Sequence, residues 1–355
     1  MTLRVGISSD LLNSAGAFSF GQRHIEVLDG ARDILHWEML PPDLPVVTPD
    51  IAAAFDGLYL NTPAISTASL PGDSRLKIVA RHGVGYDSID VGALTRSGVL
   101  LTNTPLAVRR PVATMALTFM LALAQRLIEK DRLTRDGRWH ERNDYMGTGL
   151  TGRTLGLVGA GNIGREIVRL VAPFDMRVLA TDPYVPAAAA RAAGMEPVGL
   201  PALLAESDFV VVVCPLTEET RHLVDAAALG RMKPSAYLIN VARGPIVREA
   251  ALIEALRERR IAGAGLDVFE QEPVDPGNPL LAMPNVIVTP HALCWTDENF
   301  GAIARTAMTS LVEALSRRPP DHIVNPDALA HPKLRAWFED GAPGRARTAA
   351  SREAV

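Results

Sequence analysis

The chain has 355 residues, 48% of them hydrophobic and 21% charged, enough to form two domain cores of ordinary size. Lys plus Arg number 36 against 40 Asp plus Glu, a net charge of −4, so there is no basic footprint for nucleic acid or an anionic membrane surface. Two cysteines, Cys214 and Cys294, are too few for a disulfide framework or a cysteine metal cluster, so no metal site and a reducing cytoplasm are expected.

In chain order, the N-terminus reads directly as a strand, with no signal-like basic and apolar region ahead of it. Strands at 3–8, 57–60, 77–80 and 99–102 alternate with helices near 23–35, 49–55 and 91–97. That rhythm belongs to a parallel sheet with helical crossovers. From Pro111 to about Arg135 the pattern predicts one long helix, apolar on nearly every face of its first half and expected to be buried between two domains. Pro111 suits its first turn. Thr114, Thr118 and Gln125 interrupt the apolar run and Arg126 ends it too soon to cross a bilayer.

A polar, glycine-rich stretch then leads into Leu155-Gly156-Leu157-Val158-Gly159-Ala160-Gly161-Asn162-Ile163-Gly164. This is an apolar strand, a Gly-x-Gly-x-x-Gly turn and a helix start. Gly159 permits the tight turn, Gly161 lets backbone amides approach a pyrophosphate, and Gly164 lets the helix pack close to the strand. The next strand ends in Asp182, about 20 residues past the glycines, where a carboxylate accepts from a ribose diol and repels a 2′-phosphate. Pro183 and Tyr184 follow, with no adjacent arginine, so NAD is expected rather than NADP.

Further strands at 209–214, 236–241, 263–268 and 285–289, with a helix at 248–260, complete a doubly wound sheet whose ligands belong at the carboxyl ends of its strands. A helix at 299–315 is expected to return the chain to the first domain. The prediction is an α/β protein of two Rossmann-like doubly wound domains. A discontinuous substrate domain covers 1–105 and 296–330, a cofactor domain covers 106–295, and a tail from 331 to 355 is expected to be partly disordered.

Arg243, Glu272 and His291 each lie just past a predicted strand of the cofactor domain, on the edge where a nicotinamide would sit. Hydride delivery to a carbonyl needs a proton donor for the forming alkoxide, a fixed cation to orient the substrate, and a group that keeps the donor protonated. Histidine, arginine and a carboxylate suit those three roles in turn.

The segments Gly83-Val84-Gly85-Tyr86-Asp87-Ser88-Ile89-Asp90, the glycine turn, Cys214-Pro215-Leu216-Thr217, Asn240-Val241-Ala242-Arg243-Gly244, Leu266-Asp267-Val268-Phe269-Glu270-Gln271-Glu272-Pro273 and Thr289-Pro290-His291 stand in one order over roughly residues 1 to 326. In this the chain resembles the D-isomer-specific 2-hydroxyacid dehydrogenases, the family of phosphoglycerate, D-lactate, glyoxylate/hydroxypyruvate and formate dehydrogenases. The resemblance implies Arg243 as the substrate-binding arginine, His291 as acid/base and Glu272 as its partner. It implies that backbone amides near Val84 and Gly85 hold a substrate carboxylate. Val241, Ala242 and Asp267 would lie against the nicotinamide, and Cys214, Pro215 and Thr220 along the adenosine. Gly159, Gly161, Asn162, Ile163, Gly164 and Asp182 complete the cofactor set. A homodimer joined through cofactor domains is also implied, acting on a small anionic 2-oxo or 2-hydroxy acid.

Two departures bear on the substrate. Val108-Arg109-Arg110-Pro111 carries adjacent cations near the expected hinge, for which a second anionic group of the substrate (hence Arg110 in the substrate set) and a solvated pair touching pyrophosphate are both open readings. Trp295 follows the histidine closely where small residues are usual, which reshapes or caps the pocket. Other readings are a formate- or phosphite-type dehydrogenase and a non-catalytic NAD-sensing protein resembling the dehydrogenase-like corepressors.

Overall fold

The computed structural model describes residues 2–72 and 74–340, which divide into two compact units. One runs from the N-terminus to Val108 and resumes at Thr296; the other is Arg109–Trp295. The last fifteen residues, expected to be disordered, lie outside the described residues.

The first unit is built on strands β1 (Leu3–Ile7), β2 (Leu35–Met39), β3 (Gly57–Leu60), β4 (Ile78–Arg81) and β5 (Leu100–Thr102), all parallel in the order β2-β1-β3-β4-β5. Side chains alternate across it with the period of two that a strand imposes. Val5, Ile7, Tyr59, Ile78, Ala80 and Leu100 join one core, while Leu58, Leu60, Val79 and Leu101 join the other. The helix Asp297–Leu315 closes the first face with Phe300, Ala304, Met308 and Leu311, and Thr296 caps it by accepting from the Asn299 amide.

One expectation in this unit needs correction, and one strand was not expected. The helix expected at 23–35 is only a 3-10 turn, Gln22–Ile25, running into Glu26–Asp29 and stopped at Gly30. Its last residue is instead the start of β2, an edge strand in which Leu35, Trp37 and Met39 alternate with His36 and Glu38. Part of the expected tail is ordered. Helix Pro332–Glu339 docks through the fully buried Leu334, and Trp337 Nε1 donates to the Ala314 carbonyl at 2.8 Å. Lys333 Nζ donates to the carbonyls of Ser74 and Leu76 at 2.8 and 2.6 Å.

The second unit carries β6 (Thr154–Val158), β7 (Arg177–Thr181), β8 (Glu196–Pro197), β9 (Phe209–Val212), β10 (Tyr237–Asn240), β11 (Gly263–Leu266) and β12 (Val286–Val288). Their order is β12-β11-β10-β9-β6-β7-β8, again all parallel, so the winding reverses between β6 and β9. A crevice opens beyond the carboxyl ends of the strands at such a reversal. The long helix expected from Pro111 is two helices, Arg109–Ala124 and Leu127–Arg135, bent by 55° at Arg126. Arg126 takes a left-handed φ of +52°, with its guanidinium against Glu129 and over the Tyr145 ring. The first helix packs into this unit; a Cβ on Gly265 would meet the Phe119 ring at 2.7 Å, so the glycine is what lets that ring lie on β11. Among the described residues no single helix is long and apolar enough to cross a membrane.

Candidate active site

At the end of β6 the chain turns through Gly159, whose φ of +114° is closed to ordinary side chains and whose Cβ would come 2.9 Å from the Cys214 backbone nitrogen. Gly161 caps the helix Asn162–Val171, and a Cβ on it would meet nothing within 4 Å. That side of the turn is open. A Cβ on Gly164 would fall 2.6 Å from the Gly159 carbonyl oxygen, so the helix lies as close to the turn as glycine allows. Asn162 and Ile163 form the first helical turn, where backbone N–H groups have no partner within the helix. The open side, the amides and the helix dipole make a cradle that fits a dinucleotide pyrophosphate.

Asp182 is fixed at the rim of this cradle. Its Oδ2 accepts from the Ala160 amide and its Oδ1 from the Tyr184 amide, both at 2.9 Å. Each oxygen retains a lone pair for a further donor, as a ribose diol would supply. Beyond β9, the Cys214-Pro215 turn is tied down by Thr220, whose hydroxyl donates to the Pro215 carbonyl at 2.7 Å. Burial pushes the Cys214 thiol up to about 11, so it stands as a neutral apolar wall rather than a nucleophile.

The neighbouring strands β10, β11 and β12 deliver the charged groups. Arg243 follows β10, and Asn240 shapes its turn by donating to the Arg243 carbonyl at 2.9 Å and accepting from the Ala242 amide at 3.1 Å. The Arg243 guanidinium donates to the Ala242 carbonyl at 2.7 Å. A Cβ on Gly244 would strike the Phe269 carbonyl at 1.8 Å, so this turn sits directly on the segment after β11. There the Phe269 amide donates to Glu272 Oε1 at 2.9 Å. Glu272 Oε2 lies 2.7 Å from His291 Nδ1.

Partial burial alone would raise the Glu272 carboxyl, but the hydrogen bonds from His291 and Phe269 and the charges of His291 and Arg243 outweigh it and hold it below the ordinary carboxylate range. An ionised carboxylate only accepts, so His291 Nδ1 is the donor of this bond. His291 Nε2 is then the ring nitrogen that Glu272 does not engage. The imidazole is half-exposed, on a residue with a left-handed φ of +56°. Asp267 supports that strained turn. Its buried Oδ1 accepts from the Thr289 hydroxyl at 2.5 Å and from the Ala292 and Leu293 amides at 3.0 and 3.1 Å. Asn240 and Thr289 were not singled out from the sequence. A polar residue at the carboxyl end of each apolar strand was the available signal.

In the first unit, Val84 and Gly85 follow β4. The Val84 carbonyl accepts from Asn103 Nδ2 and the Gly83 carbonyl from the Thr104 amide, each at 3.0 Å. Arg110 is engaged within the second unit: its Nη1 lies 2.6 Å from Glu166 Oε1, with Arg169 at 3.0 Å and Arg109 at 3.6 Å from the same carboxylate. Trp295 is about half-exposed, at 52%.

Residues 117–292, which carry Arg243, Glu272 and His291, match the model of the D-isomer specific 2-hydroxyacid dehydrogenase, NAD binding domain. A glyoxylate reductase from Korarchaeum cryptofilum is 39% identical over 81% of this chain and 88% of its own. The chain belongs to this family. A glyoxylate reductase from Thermococcus onnurineus is 42% identical over 72% of this chain and 78% of its own. Among solved structures, an NADPH-dependent glyoxylate/hydroxypyruvate reductase from Sinorhizobium meliloti, in complex with NADP and malonate, is 29% identical with a TM-score of 0.77, covering 92% of this chain and 98% of that one. The protein is thus an oxidoreductase of the 2-hydroxyacid dehydrogenase family with an NAD-binding domain.

Proposed function

We propose that the protein reduces a small 2-oxo acid, with glyoxylate the first candidate, to its 2-hydroxy acid of D configuration where a stereocentre forms, using NADH in preference to NADPH. The observation that carries this reading is the 2.7 Å bond between His291 Nδ1 and Glu272 Oε2 at the edge of the β10–β12 strands. It leaves His291 Nε2 to hand its proton to the forming alkoxide, while Glu272 steadies the positive ring. Arg243, whose planar fork matches a 2-oxo acid, orients the substrate, and the amides at Val84 and Gly85 take its carboxylate. The bound nicotinamide supplies the hydride. Support for glyoxylate comes from the names of the relatives, and support for NADH from the Asp182 carboxylate beside the glycine turn.

Formate oxidation and NAD sensing make no use of a paired acid/base, so both rank below oxo-acid reduction. A homodimer and a cytoplasmic location complete the proposal. The test is NADH consumption with glyoxylate, hydroxypyruvate, phosphohydroxypyruvate, pyruvate and bulkier oxo acids. Turnover on at least one supports the reading, and cofactor binding without turnover on any overturns it.

A further inference from the structure

The rim on which Asp182 stands carries a second carboxylate that the fold places with care. Tyr184, whose backbone amide holds Asp182 Oδ1, extends its side chain across to the loop after β9 and donates its hydroxyl to Glu219 Oε2 at 2.6 Å. That loop is itself stiff. The Thr217 amide donates to Thr220 Oγ1 at 2.7 Å, and the Thr220 hydroxyl donates to the Pro215 carbonyl. Glu219 is therefore held at both ends, by its backbone in a braced turn and by its carboxylate on a tyrosine.

The Tyr184 phenol is raised above its ordinary value by the Glu219 hydrogen bond first and the Glu219 charge next, with Asp182 adding to it. Both negative charges thus bear on one hydroxyl at the ribose side of the cradle. An exposed tyrosine–glutamate bond does little for stability. Tyr184 is 76% exposed and fills no core, so the arrangement needs another reason.

We propose that Tyr184 and Glu219 form a second discriminating element of the cofactor site, the tyrosine hydroxyl holding the glutamate where it repels a 2′-phosphorylated ribose together with Asp182. This rests on the reading that NADH is preferred. Asp182 selects by accepting from the diol; Glu219 selects by charge alone. A phosphate carrying close to two charges feels that second carboxylate strongly at low salt and weakly at high salt.

The test uses calorimetric titration of the intact protein with ADP-ribose and with 2′-phospho-ADP-ribose, two ligands without nicotinamide, so that no turnover is needed. The wild type is expected to prefer ADP-ribose. Glu219→Gln and Tyr184→Phe are each expected to tighten binding of the phosphorylated ligand by about 3- to 30-fold, with ADP-ribose unchanged within about twofold, and raising salt to about 0.5 M should shrink the gain. Titration of the Tyr184 phenol by ultraviolet difference absorbance should fall toward the ordinary range in Glu219→Gln. Loss of the preference in Asp182→Ala, with no change in Glu219→Gln or Tyr184→Phe, overturns this inference and leaves the NADH reading standing. A wild type that binds both ligands equally overturns the NADH reading as well.

Discussion

Two histidines stand just past the ends of parallel strands, His82 after β4 and His291 after β12, and their surroundings give them opposite chemistry. His82 is enclosed. Its Nδ1 meets the Tyr59 hydroxyl at 2.5 Å, its ring lies edge-on to Phe300 at 4.8 Å, and its Nε2 has no partner among the described residues. Burial, with help from the charge of Arg81, lowers it to about 3, so it is neutral at any working pH. His291 is half-exposed and faces a carboxylate. The same residue type at the same kind of position is enclosed and neutral in one unit and half-exposed beside a carboxylate in the other. The partner and the solvent decide.

The sharpest way to break this contrast is to remove each ring. His291→Ala should lower turnover on the best oxo acid by roughly 10²–10⁴-fold, the usual worth of a positioned acid/base. His82→Phe should keep turnover within about tenfold. Steady-state kinetics on both variants decides, and equal losses would erase the distinction.

Stability against acid should sharpen the same contrast. The unfolded His82 takes a proton near 6.5, whereas the folded one refuses it down to about 3. Between those values the unfolded state binds more protons, so folded stability is full above 6.5 and drains away as pH falls toward 3. At about 1.4 kcal/mol per unit the loss is on the order of several kcal/mol. Glu272, held below its ordinary range, adds a loss only at the lower end, as pH falls below 4.5 and through its folded value. Thermal melts of His82→Phe from pH 7 to 4 should show a shallower decline than the wild type. Parallel curves would remove His82 as the cause.

The glycine turn offers a smaller contrast between two neighbours. Gly159→Ala forces a side chain into a positive φ and against the Cys214 backbone at 2.9 Å, and should cost about 1–3 kcal/mol of stability. Gly161→Ala meets only open space, so the melt should stay within about 0.5 kcal/mol of wild type. Its methyl would stand where a pyrophosphate needs to approach, so ADP-ribose binding should weaken at least about tenfold. Intact binding in Gly161→Ala would move the phosphates elsewhere.

These contrasts mark how far the sequence could be read. The parallel order, the glycine turn and the chain positions of Arg243, Glu272 and His291 were legible, because strand alternation and glycine spacing are local properties. The break at Arg126 was not, since it depends on a left-handed residue stabilised by Glu129, Asp144 and Tyr145, which meet only in the fold. β2 was missed although Leu35, Trp37 and Met39 alternate with His36 and Glu38, because the helix expected at 23–35 was carried over its first residue and its five residues make a short signal. The support under His291 was equally hidden: nothing in Leu266-Asp267-Val268 says that one Asp267 oxygen would collect three donors from residues 289–293.

The smallest effect concerns Arg110, for which a substrate contact was one of two open readings. Glu166 is nearly buried, at 4% side-chain exposure, and its carboxyl is held below the ordinary range despite that burial by hydrogen bonds from Arg110 and Arg169. With Arg169 and Arg109 also within 3.0 and 3.6 Å, losing one of three cations leaves the carboxylate compensated. Arg110→Met should therefore cost about 1 kcal/mol or less. If its role is to neutralise Glu166, KM should stay within about twofold for glyoxylate and for a dicarboxylic 2-oxo acid alike. A rise confined to the dicarboxylic acid would return Arg110 to the substrate, since only a guanidinium that reads a distal carboxylate separates the two.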